Sequence, residues 1–358
     1  MRRILWGAAL VTTLALTVTP AHAAPDRTGR VSTGTDGTQL ATASGDGSVS
    51  ADGRYAVYGT LGPADGCSAT FSTCVFVTDL RSGTRTQVPG TGTETYGITM
   101  SADGSRVGYT TGTYHFFKAT VYDRASGELQ QLWPANPPTD TWYERSDLTG
   151  FSADGDHVAY TIGNRDGNSG SRHLLVRDLT TGADEVIDPV DHLGFVTGGQ
   201  LSADGRFVAY GLHNGSDSAL YVEDRSSGVT TRVDTGTSAS LVQISADGRR
   251  VLFNSLSDDG TWGAYIRDLH TGRVRSVAAG TAQAADASLR YVLLAEDAGL
   301  VLLDSRTGAR HTVAPPGSTA VPGSVARHGR FVVFTSTADD LVPNDTNGVS
   351  DVFVSRPH

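Results

Sequence analysis

A short stretch of sequence recurs through this chain at nearly even spacing. SADG begins at Ser50, Ser101, Ser152, Ser202 and Ser245, and each copy precedes a short apolar segment such as RFVAY. Two weaker copies, DASLRYVLL and ARHGRFVVF, begin at Asp286 and Ala326. Successive units are 40 to 51 residues apart, a period typical of proteins built from one repeated structural unit. The chain therefore contains seven such units.

Each of the first six units carries a second marker, which is an apolar run, an acidic residue and a turn ending in Gly. Examples are LLVRDLTTG from Leu174 and AYIRDLHTG from Ala264. Segments rich in β-branched and aromatic residues between Asp, Ser and Gly turns are typical of strands, and Asp-Gly is a strong hairpin signal. We predict four strands per unit, named a to d, with SADG between a and b and D-x-x-[ST]-G between c and d. Four-stranded units of this length indicate propeller blades.

The two ends of the chain predict how the ring closes. The last unit has strands a, b and c, the last being DVFVSR from Asp351, and no strand d follows. The segment TGRVSTG from Thr28 precedes the first unit and has strand character. A blade made from both ends would remove the exposed sheet edges. We predict an all-β, seven-bladed β-propeller of four-stranded antiparallel blades, closed by an N-terminal strand. Six blades are the alternative, if the unit at Asp286 is incomplete.

The repeat resembles that of the TolB-type propeller family, whose WD-like unit contains SpDGr followed later by DlxtG. The resemblance extends from about Thr28 to Arg356. It implies the propeller fold. It does not imply one activity, because such blades occur in binding proteins, in translocation accessories and beside hydrolase domains.

The first residues have the pattern of a secretory signal peptide. Arg2 and Arg3 precede an apolar run, and Ala21-His22-Ala23 offers a cleavage site. We expect a signal peptide over 1–23, a single propeller domain over 24–358, a secreted or extracytoplasmic location and no membrane span. The mature chain would have 26 basic against 38 acidic residues. This balance opposes binding to nucleic acid. We expect a monomer.

The two cysteines, Cys67 and Cys74, are close in the sequence. An even number of cysteines in an exported chain favours a disulfide. A metal or redox pair would be expected to show C-x-x-C spacing or histidine partners, and neither is present. We predict a structural disulfide between them.

Function is expected on one face of the disc. The a–b and c–d turns are uniform and lie at one end of the strands, whereas the b–c loops and d–a links vary and lie at the other. Variable loops on a rigid scaffold commonly carry binding residues. Five aromatic residues in these segments are candidate ligand-binding residues, as stacking surfaces for sugars or anchors for a protein: Tyr114, Phe116, Trp142, Tyr143 and Trp262. The alternative is that they cover neighbouring blades.

Two sets of carboxylates are candidate metal ligands, and the sequence favours only one of them. The Asp of each SADG is expected to accept hydrogen bonds within its own turn, as Asp before Gly commonly does, and not to bind a metal. The segment NDTNGVSD, by contrast, places Asp345, Asn347 and Asp351 around a Gly-containing turn. Oxygen ligands of this kind suit calcium, so these three residues are a candidate calcium site. An ordinary turn leading into strand c is the alternative.

Motifs of catalysis are missing from the sequence. It contains no G-x-S-x-G, H-E-x-x-H, Walker or dinucleotide-binding motif. A site assembled from separate blades would escape this search. We therefore expect an exported, non-catalytic propeller that binds a protein or cell-envelope ligand through its b–c and d–a segments. The alternatives are a secreted carbohydrate-binding or lyase-type propeller enzyme, and a structural module stabilised by calcium.

Overall fold

The structure is a computed structural model and consists of short antiparallel strands. It describes residues 28–68, 70, 72–113, 116–138, 145–163, 173–187, 195–215, 217–234, 236, 238–257 and 259–357. Within these ranges, the helical structure is a single 3-10 turn, Arg327–Gly329. The predicted signal peptide, 1–23, lies outside them.

Six sheets have four strands each, hydrogen-bonded in chain order. Blade 1 contains β2 (Ser44–Val49), β3 (Tyr55–Leu61), β4 (Thr73–Asp79) and β5 (Arg85–Gln87); blade 2 contains β6 (Glu94–Met100), β7 (Arg106–Thr113), β8 (Phe116–Asp123) and β9 (Leu129–Gln131); blade 3 contains β10 (Arg145–Phe151), β11 (His157–Gly163), β12 (His173–Asp178) and β13 (Asp184–Ile187). Blade 4 contains β14 (Phe195–Leu201), β15 (Phe207–Asn214), β16 (Asp217–Asp224) and β17 (Val229–Arg232); blade 5 contains β18 (Ala239–Ile244), β19 (Arg250–Leu256), β20 (Trp262–Asp268) and β21 (Val274–Ala279); blade 6 contains β22 (Thr281–Ala285), β23 (Tyr291–Glu296), β24 (Gly299–Asp304) and β25 (Arg310–Ala314). The unit at Asp286 is thus a full blade.

The seventh sheet joins the two ends of the chain. It contains β1 (Gly29–Arg30), β27 (Asp351–Ser355) and β26 (Val332–Ser336), in that order. The pairing Arg30↔Phe353 places the N-terminal strand outermost. Isolated bridges to Val332 and Thr335 supply the innermost position, strand a. Seven blades and closure by an N-terminal strand are confirmed.

The SADG turns owe their shape to one buried serine. In blade 4 the Ser202 hydroxyl donates to Asp204 Oδ1 at 2.6 Å and accepts the Phe207 N–H at 2.9 Å. Asp204 also accepts the Arg206 N–H at 3.1 Å. The same serine-to-aspartate bond occurs at Ser50, Ser101, Ser152 and Ser245. The prediction that these aspartates accept bonds within their own turns is confirmed.

Blade 6 keeps this geometry with the two side chains exchanged. Asp286 occupies the serine position, and its carboxylate accepts the Tyr291 N–H at 3.0 Å and the Ser288 hydroxyl at 2.9 Å. This exchange explains why the sixth copy is hard to recognise in the sequence.

The glycine of the blade 1 turn is required by space as well as by backbone conformation, whereas blade 6 has Leu289 at the equivalent position, with φ +55°. Gly53 has φ +73°, and a Cβ there would lie 2.1 Å from the Phe331 ring of the neighbouring blade. Any side chain would therefore separate two blades. This is a close-packing role in addition to the positive φ that a tight turn needs.

Backbone hydrogen bonds join the SADG turns into a ring around the central channel. The Ala51 N–H donates to Ala102 O at 2.7 Å, and the Ala203 N–H donates to Ala246 O at 2.8 Å. The Arg327 N–H donates to Ala51 O at 2.9 Å, so the series of bonds runs from Arg327 of blade 7 round to Ala287 of blade 6. We call this set the turn ring; its members are Ala51, Ala102, Ala153, Ala203, Ala246, Ala287 and Arg327. Small side chains suit this crowded position, and Arg327 is the exception.

The hydrophobic core lies between the blades. Each blade packs an aromatic residue of strand b, fully buried, against its neighbours: Tyr58, Tyr109, Tyr160, Tyr210, Phe253 and Phe334, with Leu294 in blade 6. Between blades 1 and 2, for example, Val75 and Val77 contact Ile98 and Tyr109. The interlocked core fixes the two ends of the disc as separate surfaces. The a–b and c–d turns form the turn face; the b–c loops and d–a links form the loop face.

Candidate functional site

Exposed apolar side chains are concentrated on the loop face. Among the described residues, the large hydrophobic side chains that are exposed on this face are Leu61, Phe116, Leu256 and Trp262. Three others, Leu129, Val186 and Val229, lie on the outermost strands. Leu256 and Trp262 are direct cross-strand partners at the tip of blade 5, so their exposed surfaces are continuous.

The structure locates two of the five predicted ligand-binding residues. Phe116 is 56% exposed at the start of β8, and Trp262 is 42% exposed at the start of β20. They belong to blades 2 and 5, which are not neighbours in the ring. Tyr114, Trp142 and Tyr143 lie outside the described residues. Their role in ligand binding stays a prediction.

A cation–aromatic cluster occupies the loop-face end of blades 2 and 3. It consists of Tyr96, Phe117, Arg145 and Asp147. The Arg145 guanidinium carbon lies 4.9 Å from the Phe117 ring centre, and its Nε lies 2.7 Å from Asp147 Oδ2. The Tyr96 hydroxyl donates to Asp147 Oδ1 at 2.5 Å. Partial burial is the largest single effect and lowers the pKa of Arg145, but the hydrogen bond and the charge attraction to Asp147, with Tyr96, together outweigh it and raise the pKa above its usual value.

A second cation–aromatic contact lies beside this cluster. Lys118 Nζ is 3.4 Å from the ring centre of Trp133. Lys118 is the single lysine of the chain. Contacts of this kind stabilise by roughly 0.5–1 kcal/mol at exposed sites. Blades 2 and 3 therefore present ordered aromatic and cationic side chains toward the loop face.

The predicted calcium ligands surround a guanidinium. Arg30 of the N-terminal strand places one terminal nitrogen 2.9 Å from Asp345 Oδ2 and its Nε 3.3 Å from Asp351 Oδ2. Neither contact has hydrogen-bond alignment, so the attraction is ionic. All three side chains are nearly buried, at 9%, 5% and 0% exposure. We call Arg30, Asp345 and Asp351 the clasp.

Other groups complete the clasp. The Asn347 amide donates to Asp351 Oδ2 at 3.0 Å, and the Gln39 amide donates to Asp345 Oδ1 at 2.6 Å. The Ser32 hydroxyl donates to Asp351 Oδ1 at 2.7 Å. The structure thus brings Asp345, Asn347 and Asp351 together, as the calcium prediction requires, but Arg30 supplies the positive charge between them. Calcium binding stays a prediction.

Three further observations bear on the expected chemistry. Cys67 and Cys74 form a disulfide, as predicted. No group of three or more His, Cys, Asp or Glu side chains within the described ranges is arranged to hold a metal ion. The same ranges contain no helix long and apolar enough to cross a membrane.

The central channel contains a cavity of about 360 Å³. Its wall comes from the a strands and the turn ring, and it is largely apolar, with Val49, Met100, Phe151 and Leu201 as examples. Among the described lining residues, the charged ones are Asp46 and Arg327.

Asp46 has an unusual backbone. Its φ is +55°, and the corresponding residues of two other inner strands, Gly97 and Gly198, have φ +62° and +71°. All three lie at a bulge where two residues of strand a stand opposite one residue of strand b. The side chain is open to water in the channel but has protein on most sides, and this burial raises the pKa of the Asp46 carboxyl.

The sequence patterns do not indicate Asp46, Arg30, Arg145 or Arg327 as functional residues. Arg327 could have been found, because aligning ARHG with SADG places it at the alanine position. Asp46 lies in SGDGSV, which has the composition of a turn and gives little sign of an inner strand. Arg30 carries no local signal, since its partners come from the other end of the chain. Arg145 has Asp147 two residues away, but its aromatic partners, Tyr96 and Phe117, come from the preceding blade.

Comparison by sequence identifies no relative. No protein-family model matches the chain, and no curated protein matches it. Comparison of structures, by contrast, finds many similar folds.

An oligogalacturonate lyase in complex with manganese matches with a TM-score of 0.67 at 15% identity, over 92% of this chain and 93% of that one. The β-propeller domain of the Trilobed protease from Pyrococcus furiosus matches with a TM-score of 0.57 at 14% identity, over 88% and 95%. TolB from Acinetobacter baumannii matches with a TM-score of 0.48 at 12% identity, over 88% of this chain and 63% of that chain. Identities this low establish the fold alone: the chain is a β-propeller, and its structural neighbours include TolB proteins, lyases and protease domains.

Proposed function

We propose that this protein is an exported, non-catalytic β-propeller of the TolB type that binds a protein or cell-envelope ligand on its loop face. The observation that carries the proposal is the uneven distribution of exposed apolar surface. Leu61, Phe116, Leu256 and Trp262 lie at the loop-face ends of strands b and c. Aromatic anchors in such positions dominate the binding energy of many interfaces.

Many polar groups of the turn face are already bonded. Its serines and aspartates are bonded within their own turns, as in Ser202 and Asp204, and its backbone groups are joined in the turn ring. Polar groups that are already satisfied have less to gain from a partner. Cation–aromatic contacts occur on both faces: the loop face has the cation–aromatic cluster and the Lys118–Trp133 contact, and the turn face has Arg124 at 3.9 Å from the Tyr55 ring centre. The exposed apolar side chains are therefore the feature that favours the loop face.

The test is a binding experiment with matched variants. Purified protein is immobilised and exposed to envelope extract, and captured proteins are identified and titrated against Trp262→Ala, Phe116→Ala and Val229→Ala. Val229 is 58% exposed on an outermost strand and serves as the control. We expect the first two variants to weaken binding by about tenfold or more and the control to retain it.

Equal binding by all variants would contradict the loop-face assignment. A glycan array run with the same variants addresses the alternative of a carbohydrate-binding propeller, since exposed aromatic rings also stack on sugars. Saturable glycan binding that is lost with Trp262→Ala would indicate that the ligand of the loop face is a carbohydrate and not a protein.

Export is tested separately. Expression of the full chain in a secreting host should yield a mature product that starts at Ala24, measured by intact mass. A product that retains 1–23 in the cytoplasm would contradict the proposal of an exported protein.

A further inference from the structure

We propose that the central channel is a second binding site, for an elongated zwitterion such as a short peptide with free termini. Its ammonium group would bind Asp46 and its carboxylate would bind Arg327. This inference concerns the channel and does not depend on a ligand of the loop face.

The first observation is that two opposite charges share one cavity without pairing. Asp46 and Arg327 both line the channel. Within the described part of the chain, neither side chain makes a salt bridge or a hydrogen bond, with the other or with any third group. Elsewhere arginines and carboxylates pair readily, as in Arg206–Asp224 and Arg290–Asp304. Both residues are exposed to the water of the channel, so neither has to give up a protein partner to bind a ligand group of opposite charge.

The second observation is that Asp46 and Arg327 differ from the residue types found at the equivalent positions of other blades. Gly97 and Gly198 occupy the position of Asp46 in blades 2 and 4, and a positive φ favours glycine there. Alanine occupies the position of Arg327 in the other six members of the turn ring. Residues held in unfavourable backbone conformations are concentrated at functional sites.

The spacing of the two charges indicates the length of the ligand. The Arg327 N–H bonds Ala51 O, so Arg327 lies at the depth of Ala51. Asp46 precedes Ala51 by five residues, or roughly 16 Å of strand at about 3.3 Å per residue. An extended peptide of three or four residues spans roughly 10–14 Å, and the two side chains can cover the remainder.

The cavity agrees with this class of ligand. Its volume of about 360 Å³ lies in the range of small-molecule sites. Apolar side chains such as Met100 and Phe151 face the space between the two charges. Gln200 and Gln243 are held by backbone groups of adjacent blades and add polar atoms to the wall. A peptide offers both apolar and amide groups to such a wall.

The experiment uses trialanine, its N-acetyl form and its C-terminal amide, each titrated calorimetrically into the full-length protein. We test Asp46→Gly and Arg327→Ala, with Asp297→Asn and Arg273→Ala as controls that remove an exposed charge outside the channel. The two test variants introduce residues found at equivalent positions of other blades, so both should fold; melting curves verify this.

We expect trialanine to bind the wild type, and N-acetylation or Asp46→Gly each to weaken binding by about tenfold or more, a loss of 1.4 kcal/mol per tenfold. N-acetylation should then have little further effect in Asp46→Gly, and C-terminal amidation little further effect in Arg327→Ala. Both controls should bind as the wild type does.

Two results would overturn the inference. One is the absence of saturable binding up to about 10 mM peptide, ten times a millimolar Kd. The other is binding that is unaffected by Asp46→Gly or that falls equally in the controls. Neither result would bear on the loop face, because Trp262→Ala and Phe116→Ala leave the channel unchanged.

Discussion

Replacement of Arg30 by alanine should destabilise the propeller far more than replacement of an ordinary surface arginine. Arg30 is 9% exposed and lies within 3.3 Å of two carboxylates that are 5% and 0% exposed. Removing it leaves those charges buried and uncompensated. Breaking a buried ion pair in this way costs about 3–5 kcal/mol. Both carboxylates belong to the last unit of the chain, so the loss of stability affects the seventh blade, where the N-terminal strand closes the ring.

The matched control is Arg54→Ala. Arg54 pairs with Asp79 at 3.0 Å, but its side chain is 43% exposed. Pairs of this kind contribute about 0.2–1 kcal/mol. With an unfolding entropy of about 2.1 cal/mol/K per residue, Arg30→Ala should lower Tm by roughly 4–7 °C and Arg54→Ala by about 1 °C or less.

The assay is urea unfolding followed by near-UV and far-UV circular dichroism, with Tm from calorimetry. Adding Asp351→Asn to Arg30→Ala should recover part of the lost stability, because it removes one of the two buried carboxylate charges that Arg30 no longer compensates. A loss for Arg30→Ala equal to that for Arg54→Ala would refute the clasp as a stabilising element, whatever its geometry.

Four further outcomes are expected. Ser202→Ala removes the hydroxyl at the centre of a buried turn and should cost about 1–3 kcal/mol in urea unfolding; a neutral result would show that the turn needs only its backbone. Joint replacement of Cys67 and Cys74 by serine should cost about 2–3 kcal/mol, since the closed loop is short, and reducing agent should have the same effect on the wild type but none on the variant. Hydrogen bonds from Thr180 lower the pKa of Asp178 from 3.8 to about 2; stability from this group is present above pH 3.8 and lost as pH falls through about 2, so Asp178→Asn should flatten the acid limb of the stability profile. Calcium should raise the Tm of Arg30→Ala more than that of the wild type, because the ion must otherwise compete with the guanidinium; an equal rise in both would show that calcium binds elsewhere.

The architecture was predictable because the information that specifies it is local. Each SADG turn is built from bonds within five residues, such as Ser202 to Asp204 and to the Phe207 N–H. The hairpins, the strand order and the number of blades follow from counting these turns. Even the weak sixth unit preserves the bonds, with Asp286 and Ser288 in exchanged positions.

The groups of chemical interest were mostly not predictable, because the ring brings them together. The oxygen ligands of NDTNGVSD were recognised, but the cation among them comes from Arg30, some 300 residues away. Asp46 is recognisable as unusual only once the bulge that forms by pairing with β3 is known, and once Gly97 and Gly198 are seen at the equivalent positions. The spacing of residues along the chain predicts neither the contact of Arg30 with the last unit nor the position of Asp46 in the bulge.

The way the seventh blade is assembled has a consequence for kinetics. Gly29 pairs with Val354, 325 residues later in the chain, so the strand pairing that closes the ring carries a large loop-closure entropy cost. We expect six blades to fold before β1 pairs with β27, and this pairing to be the first to break on unfolding. The rate at which the ring is lost should then depend on the short ladder of β1 more than on any single blade.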